Sequence, residues 1–219
     1  MPTAGYNATV KLSGTSTAFT GAATTGAATT WQISDTSKQV LDPAVTPDWY
    51  DNGTPIVSGD ISSVDYLTGT VVFTGSKTGP ITADGSYLPL LTFAEARSVD
   101  LSLSADELDT TTFGSSWRTR VHGLKSASGS LESLTLLSTD MDPGADSRTL
   151  EALFTAGTVV LLEIDPTGSG AGYRYRFFAT LFEAGSSGAV DALVTTSPTF
   201  TSQSVTAADG TVVTLTVSA

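Results

Sequence analysis

The stretch DTTTFGSSWRTRVHGLKSASGSLE, residues 109–132, decides how the rest of the chain is interpreted. Val99, Leu101 and Leu103 precede it with a period of two, and a second apolar alternation follows it. Such alternation is typical of strands that bury one face. The sequence therefore predicts a long loop between two paired strands, and we expect the partner strand at about residues 126–137.

This loop collects basic and aromatic side chains on a chain that is otherwise acidic. It holds the only histidine and one of the three tryptophans. Because the planar guanidinium of arginine pairs well with carboxylates, we expect the loop to contact a neighbouring copy. A solvated loop without a partner is the alternative, and Trp117 could instead tuck under its own loop. The residues predicted to form the subunit interface are Asp109, Thr111, Thr112, Phe113, Trp117, Arg118, Arg120, His122 and Lys125.

The composition favours β-structure and excludes several kinds of site. Only 15% of the 219 residues are charged, and the formal net charge is −12. An acidic excess disfavours binding to phosphate backbones, which attract clustered lysine and arginine. The absence of cysteine excludes disulfides and thiolate metal sites. We see neither an apolar run of about 18 residues nor a secretory signal, and we expect synthesis in a cytoplasm.

The N-terminal part, residues 1–92, is predicted to be a small all-β module. Residues 14–30 form a Gly/Ala/Thr-rich tract, which we expect to be a mobile loop or weak edge strands. After this tract, strand-sized apolar runs alternate with turn dipeptides, as in a β-meander. These dipeptides are Asn52-Gly53, Thr68-Gly69, Thr78-Gly79 and Asp84-Gly85.

The second part, residues 93–219, is predicted to hold about seven strands and one helix. In ADSRTLEALFTAG, Leu150, Leu153 and Phe154 make an apolar stripe at helical spacing. Gly157 stands where a helix commonly ends in a left-handed residue. The fold class is therefore all-β with one short flanking α-helix and an extra N-terminal β-module.

The longest strand candidate in this second part is YRYRFFATLFEA, residues 173–184. One face of this strand is apolar and the other is mixed: the first carries Tyr173, Tyr175, Phe177 and Leu181, and the second carries Arg174, Arg176, Phe178 and Phe182. Such a strand suits a sheet that is buried on one side and faces a partner on the other. The alternative is that the two arginines only decorate an exposed face of the sheet.

The sequence contains few residue patterns that are typical of catalytic or metal sites. Nucleophilic catalysis needs a base close to a hydroxyl or thiol, and His122 has no local partner pattern, so we expect no enzyme. Asp140 and Asp142 superficially resemble a calcium loop, but the other ligands do not fit the EF-hand spacing, and a turn is the simpler interpretation. No cofactor and no metal site are expected.

The residues of the loop resemble a known family. DTTTFGSSWRTRVHGLKSASGSLE, followed by SRTLEALFTAG and TVVLLEI, is similar to the major tail tube proteins of long-tailed bacteriophages. Members tend to show Asp-x-Thr-Thr-x-Gly, then a basic loop, then Gly-Leu at the start of the next strand. The N-terminal stretch from WQISDTSKQVLDP to GSYLP also resembles a module of phage tail proteins. The matching positions are Asp109, Thr111, Thr112, Gly114, Trp117, Arg118, Gly123 and Leu124.

This resemblance implies a β-sandwich or split-barrel subunit of a virion. Six subunits would form a ring, and stacked rings would form a hollow tube that conducts DNA during ejection without binding it specifically. In the family the inner sheets join across subunits, and the long loop reaches a neighbour. The implied partners are further copies of the chain and the tape measure, tail tip and tail terminator proteins, with no membrane. The resemblance leaves the place of the N-terminal module open.

Two other functions remain open on the sequence alone. A virion-decorating domain that binds a receptor or carbohydrate would use exposed aromatics, for which Trp31, Trp49 and Tyr50 are the candidates. A hydrolase would need a pair of carboxylates, and no recognisable motif places one.

Overall fold

The structure, a computed structural model, describes residues 9–93, 96–110, 117–134, 147–166, 173–187 and 195–218. These residues form antiparallel β-structure with one α-helix, which confirms the predicted all-β class. The helix, α1, spans Ser147–Ala156, and two short 3-10 turns span Thr36–Lys38 and Ser58–Asp60. The strands are β1 (Thr9–Ser13), β2 (Thr17–Ala27), β3 (Thr30–Ile33), β4 (Asp48–Asp51), β5 (Thr54–Pro55), β6 (Ile61–Asp65), β7 (Thr70–Phe73), β8 (Ile81–Tyr87), β9 (Leu90–Thr92), β10 (Ala96–Asp109), β11 (Arg120–Leu134), β12 (Val160–Asp165), β13 (Arg174–Ser187), β14 (Thr195–Gln203), β15 (Val205–Thr206), β16 (Val212–Val213) and β17 (Thr216–Ser218).

Eight strands form the larger sheet, which we name the barrel sheet. Its order is β10-β11-β14-β13-β12-β1-β9, and β17 pairs with β13 beyond the end of β14. The two edge strands are consecutive in the chain, since β9 ends at Thr92 and β10 begins at Ala96. An extended chain spans at most about 14 Å over four residues. The end of β9 and the start of β10 therefore lie close together, and the sheet curls around its inner face.

Apolar side chains fill the inside of this curl. Phe177 and Leu181 of β13 point inward, and the Phe177 ring lies 5.8 Å from the Phe200 ring of β14, centroid to centroid. The same cluster contains Val10 of β1 and Leu131 of β11, which stand far apart in the strand order. One core can include both strands only because the sheet bends back on itself. The other buried members are Leu12, Phe93, Leu162, Ile164 and Ala179.

Helix α1 packs against β13, with Leu153 against the inner core. Gly157 follows the helix with φ of +61°, a conformation that costs glycine little. The predicted helix and its glycine stop are therefore confirmed.

Residues 14–89 form a second sheet, which we name the inserted module. Its strand order is β5-β4-β8-β2-β3-β7-β6. Strand β2 covers most of the Gly/Ala/Thr-rich tract, and each half of it pairs on one side, residues 17–23 with β8 and residues 24–27 with β3. Of the two expectations for residues 14–30, the mobile loop is therefore wrong, and edge strands agree with this one-sided pairing.

The module connects with the barrel sheet at a hairpin and shares a core with it. Strands β1 and β9 pair with each other, so the module interrupts the hairpin that they form. Leu161 and Phe178 of the barrel sheet belong to the same buried cluster as Trp49, Leu67 and Phe73 of the module. The pairing places Thr9–Ser13 in the barrel sheet, and the division into domains 1–92 and 93–219 stays a prediction.

Candidate assembly interface

A two-stranded arm projects from the edge of the barrel sheet. Strands β10 and β11 pair from Ala96↔Ser133 to Asp109↔Arg120, whereas β14 pairs with β11 only over residues 128–134. Residues 103–110 and 117–127 therefore extend beyond the sheet, and we name them the arm. Its base is held by Ala127, whose backbone N–H donates to Ser202 Oγ at 2.8 Å.

The arm changes the interpretation of residues 109–132. Residues from Arg120 onward belong to strand β11, so the predicted long loop and the predicted strand start near residue 126 are wrong. Only residues 110–119 connect the two strands. Thr111, Thr112 and Phe113 of the predicted interface lie outside the described residues, as do Asp140 and Asp142.

A bulge reshapes the arm near its end. The pairing passes from Ala105↔Lys125 to Glu107↔His122, so two residues of β11, Gly123 and Leu124, lie opposite one residue of β10, Asp106. A Cβ on Gly123 would lie 3.0 Å from Asp106 Cβ, a tight contact that favours glycine. Bulges locally disrupt a ladder and re-aim side chains, and Leu124 is 82% exposed at this point.

Large apolar side chains are exposed along the arm and its connecting segment. Leu108 and Val121 face each other across the two strands at 52% and 50% exposure. Leu103 is 53% exposed and Trp117 is 83% exposed. Exposed apolar side chains that cluster together mark interaction sites, so the arm has the surface of a contact that the single chain leaves uncovered.

The basic residues of the predicted interface are mostly exposed on the arm. Arg118, His122 and Lys125 are exposed, and Arg120 Nη1 pairs with Glu107 Oε1 at 2.5 Å within the same arm. Both members of that pair are about half exposed, so its contribution to stability is small, roughly 0–1 kcal/mol. Contact of these residues with a neighbouring copy stays a prediction.

The outer surface of β10, β11 and β14 carries hydroxyl groups almost throughout, and we name it the polar face. Ser104 and Ser126 hydroxyls lie 2.9 Å apart, and Ser98 Oγ donates to Glu132 Oε2 at 3.2 Å. The face lies opposite the inner core, because inward Leu131 and Phe200 alternate with outward residues. It comprises Ser98, Asp100, Ser102, Ser104, Ser126, Ser128, Ser130, Glu132, Thr199 and Thr201. Its ionisable members are carboxylates.

A buried charge cluster links the barrel sheet to the inserted module. Glu163 accepts from Arg176 Nε at 2.6 Å and from Lys11 Nζ at 2.7 Å. Arg176 Nη1 also donates to the backbone oxygen of Leu67, in the module, at 2.7 Å. Arg176 is only 4% exposed, so the alternative that it only decorates an exposed face is wrong. Arg174 is half-buried.

The pKa of Glu163 reflects two opposing effects. Burial raises it, and the hydrogen bonds and charges of Lys11 and Arg176 lower it by more, so the pKa lies below its usual range. The carboxyl group is therefore ionised at neutral pH. The nearly fully buried pair of Glu163 and Arg176 thus joins the barrel sheet to the inserted module.

The aromatic side chains that a carbohydrate-binding domain would use are not all exposed. Trp49 is fully buried, and its ring meets Phe73 edge-on with centroids 6.4 Å apart. Trp31 and Tyr50 are half-buried, and the pKa of the Tyr50 phenol is raised by the negative charge of Asp84. The expectation that Trp49 is an exposed ligand-stacking residue is therefore wrong.

The described residues show few features of an active site. Among them, no group of three or more His, Cys, Asp or Glu could hold a metal ion. A cleft of about 560 Å³ lies between the module and the barrel sheet, lined mainly by apolar side chains such as Leu88, Val159 and Phe178. No described helix is long and apolar enough to cross a membrane.

Comparison with known proteins gives distant likenesses of fold. No protein-family model matches the chain, and no curated protein matches it. One solved structure with a similar fold is the tail of an empty gene transfer agent particle with C6 symmetry, at 19% identity and a TM-score of 0.46, covering 60% of this chain and 87% of that chain. A second is a chain of the virion of a native gene transfer agent particle, at 19% identity and a TM-score of 0.45, covering 59% of this chain and 89% of that chain.

Proposed function

We propose that the chain is the subunit of a phage tail tube, in which hexameric rings stack and the lumen conducts DNA during ejection. The observation that carries this proposal is the arm, an apolar two-stranded extension that a single chain leaves uncovered. The resemblance of residues 109–132 to tail tube proteins points to the same segment. In the assembled tube the arm contacts a neighbouring subunit.

The edge of the barrel sheet supports joining between subunits. Within the described residues, β10 pairs with β11 on one side, and its other edge has no strand partner over residues 96–108. A long unpaired edge is a template for pairing with another chain. In a ring this edge pairs with the neighbouring subunit, and repetition of a head-to-tail contact closes the ring.

The polar face suits the wall of a channel for DNA. Specific and non-specific DNA binding both depend on lysine and arginine at the phosphates. The polar face presents hydroxyls together with Asp100 and Glu132, and a surface of that charge repels a polyanion. With this face toward the lumen, DNA would move past without being held.

The remaining assignments follow from the same proposal. The subunit resides in the virion after synthesis in the cytoplasm of the bacterial host. Its partners are other copies of the chain and the tape measure, tail tip and tail terminator proteins. It performs no catalysis and needs no cofactor.

Negative-stain electron microscopy of the purified protein at rising concentration, with its mass in solution, tests the proposal. We expect rings or hollow tubes with a lumen wide enough for duplex DNA. A particle that stays monomeric, both alone and after mixing with preformed tail tips, would contradict the proposal. The Val57→Ser variant serves as a matched control, because Val57 is exposed on the inserted module, away from the arm, and the variant should assemble normally.

A further inference from the structure

The inserted module leaves and rejoins the barrel sheet at one point. Ser13 of β1 pairs with Leu90 of β9, and the next residue, Gly14, donates its backbone N–H to the oxygen of Pro89 at 2.7 Å. The pairing of β1 with β9 therefore continues up to the two positions at which the chain enters and leaves the module. All of residues 14–89 stand outside the strand order of the barrel sheet.

The module packs on the outside of the curled sheet. Leu162 and Phe177 point into the inner core, so their neighbours Leu161, Arg176 and Phe178 point outward. Leu161 and Phe178 join the core of the module, and Arg176 reaches its backbone. The module thus covers the outer surface of β12 and of the first half of β13.

The polar face and the module occupy opposite sides of the curl. The polar face is centred on β11, and the module is centred near β12, three steps further along the order β11-β14-β13-β12. The sheet turns back far enough to bring the end of β9 close to the start of β10, as the short connection between them requires. The outward directions at β11 and β12, which are three strand steps apart, consequently diverge widely.

We infer that residues 14–89 form a coat on the outer wall of the tube, facing away from the lumen; this inference rests on the proposed function. If the polar face lines the lumen, the opposite side of the curl faces the exterior, and the module covers that side. The coat carries seven aspartates against two lysines, Lys38 and Lys77, with no arginine or glutamate. It gives the exterior of the tube an acidic surface and shields Leu161 and Phe178 from water.

Single-cysteine labelling tests this placement, because the chain has no cysteine of its own. Gly75→Cys and Gly59→Cys place a thiol on the module where a Cβ meets nothing within 4 Å. Ser102→Cys places a nearly isosteric thiol on the polar face. Each variant is treated with maleimide on a gold particle wider than the lumen, once as assembled tubes and once as dissociated subunits.

The expected result separates the two faces. In tubes, the extent of labelling of at least one module variant should lie within about twofold of that of its dissociated subunits. Gold particles should then be seen along the tube walls. The extent of labelling of Ser102→Cys should be at least tenfold lower in tubes than in dissociated subunits. Intact tubes in which both module variants are shielded as strongly as Ser102→Cys would overturn the inference and leave the proposed function standing. Failure of the unmodified protein to form tubes would overturn the proposed function itself, and the inference with it.

Discussion

Arg176 and Glu163 form a buried ion pair, with Nε and Oε2 2.6 Å apart, where the barrel sheet meets the inserted module. They are direct partners in the pairing of β13 with β12. Removing one partner of a buried pair leaves an uncompensated charge and costs about 3–5 kcal/mol. We therefore expect Glu163→Gln to lower the free energy of unfolding by about 3 kcal/mol in urea denaturation. Lys38→Ala, which removes the exposed pair with Asp35, is the control and should cost about 1 kcal/mol or less.

The same carboxyl group gives the stability a defined dependence on pH. Burial raises the pKa of Glu163, and its two basic partners lower it by more, to below the ordinary value of 4.5. A group with a lowered pKa in the folded state stabilises the fold above its unfolded pKa, and that contribution is lost as pH falls through the folded pKa. The difference in unfolding free energy between the wild type and Glu163→Gln should therefore shrink below about pH 4.5. A difference that stays constant from pH 7 to pH 3 would contradict this assignment.

The shared core predicts that the module and the barrel sheet unfold together. Phe178 of the barrel sheet is buried among module residues such as Leu41 and Ile81. Calorimetry of the wild type should show one transition whose van't Hoff and calorimetric enthalpies agree. Phe178→Ala should lower the unfolding free energy by about 3–5 kcal/mol and keep a single transition. Two separated transitions in the wild type would instead favour independent domains at residues 1–92 and 93–219.

Gly129 of β11 is predicted to tolerate no side chain. A Cβ at this position would lie 1.9 Å from the backbone oxygen of Asp100 and 2.7 Å from Phe200 Cζ. Since backbone atoms cannot yield as a flexible side chain does, Gly129→Ala should cost about 2–3 kcal/mol or more by overpacking. Gly75→Ala, where a Cβ meets nothing within 4 Å, should change stability by less than about 0.5 kcal/mol. Equal stability of the two variants in urea would show that the strands are not packed this closely.

The helix and the barrel strands could be predicted because local periodicity specified them. Leu150, Leu153 and Phe154 have helical spacing, and Gly157 ends the helix where the sequence placed a stop. The alternation at Val99 and Leu101 lies within β10 as expected. In these segments the pattern of apolar residues and the tertiary structure favour the same element.

Segments rich in small residues could not be predicted in this way. Residues 14–30 contain few large apolar side chains, so they resemble a loop in the sequence. Their strands are specified by partners distant in the chain, such as Ala83 opposite Ala22. The sequence does contain a local indication of the buried charge cluster. Glu163 stands inside the apolar run VVLLEI, and a charge in a fully buried strand requires a partner.

The arm is predicted to contribute to assembly and hardly at all to folding. Trp117 and Leu124 are both more than four-fifths exposed, so truncating either should change the unfolding free energy by less than about 0.5 kcal/mol. Apolar and aromatic anchors at interfaces cost about 2 kcal/mol or more when truncated, which corresponds to roughly 30-fold in an equilibrium constant. Trp117→Ala and Leu124→Ser should therefore raise the concentration needed for tube formation about 30-fold, measured by sedimentation. Arg118→Ala should act in the same direction.

Val57→Ser is the matched control for these arm variants. Val57 is 67% exposed but lies on the inserted module, so its truncation removes similar apolar surface away from the arm. We expect tubes of normal length at the wild-type concentration. Full-length tubes from both Trp117→Ala and Arg118→Ala would show that the arm does not join subunits. An equal loss of assembly in Val57→Ser would show that exposed apolar surface in general, rather than the arm, drives association, because Val57 lies on the inserted module and not on the arm.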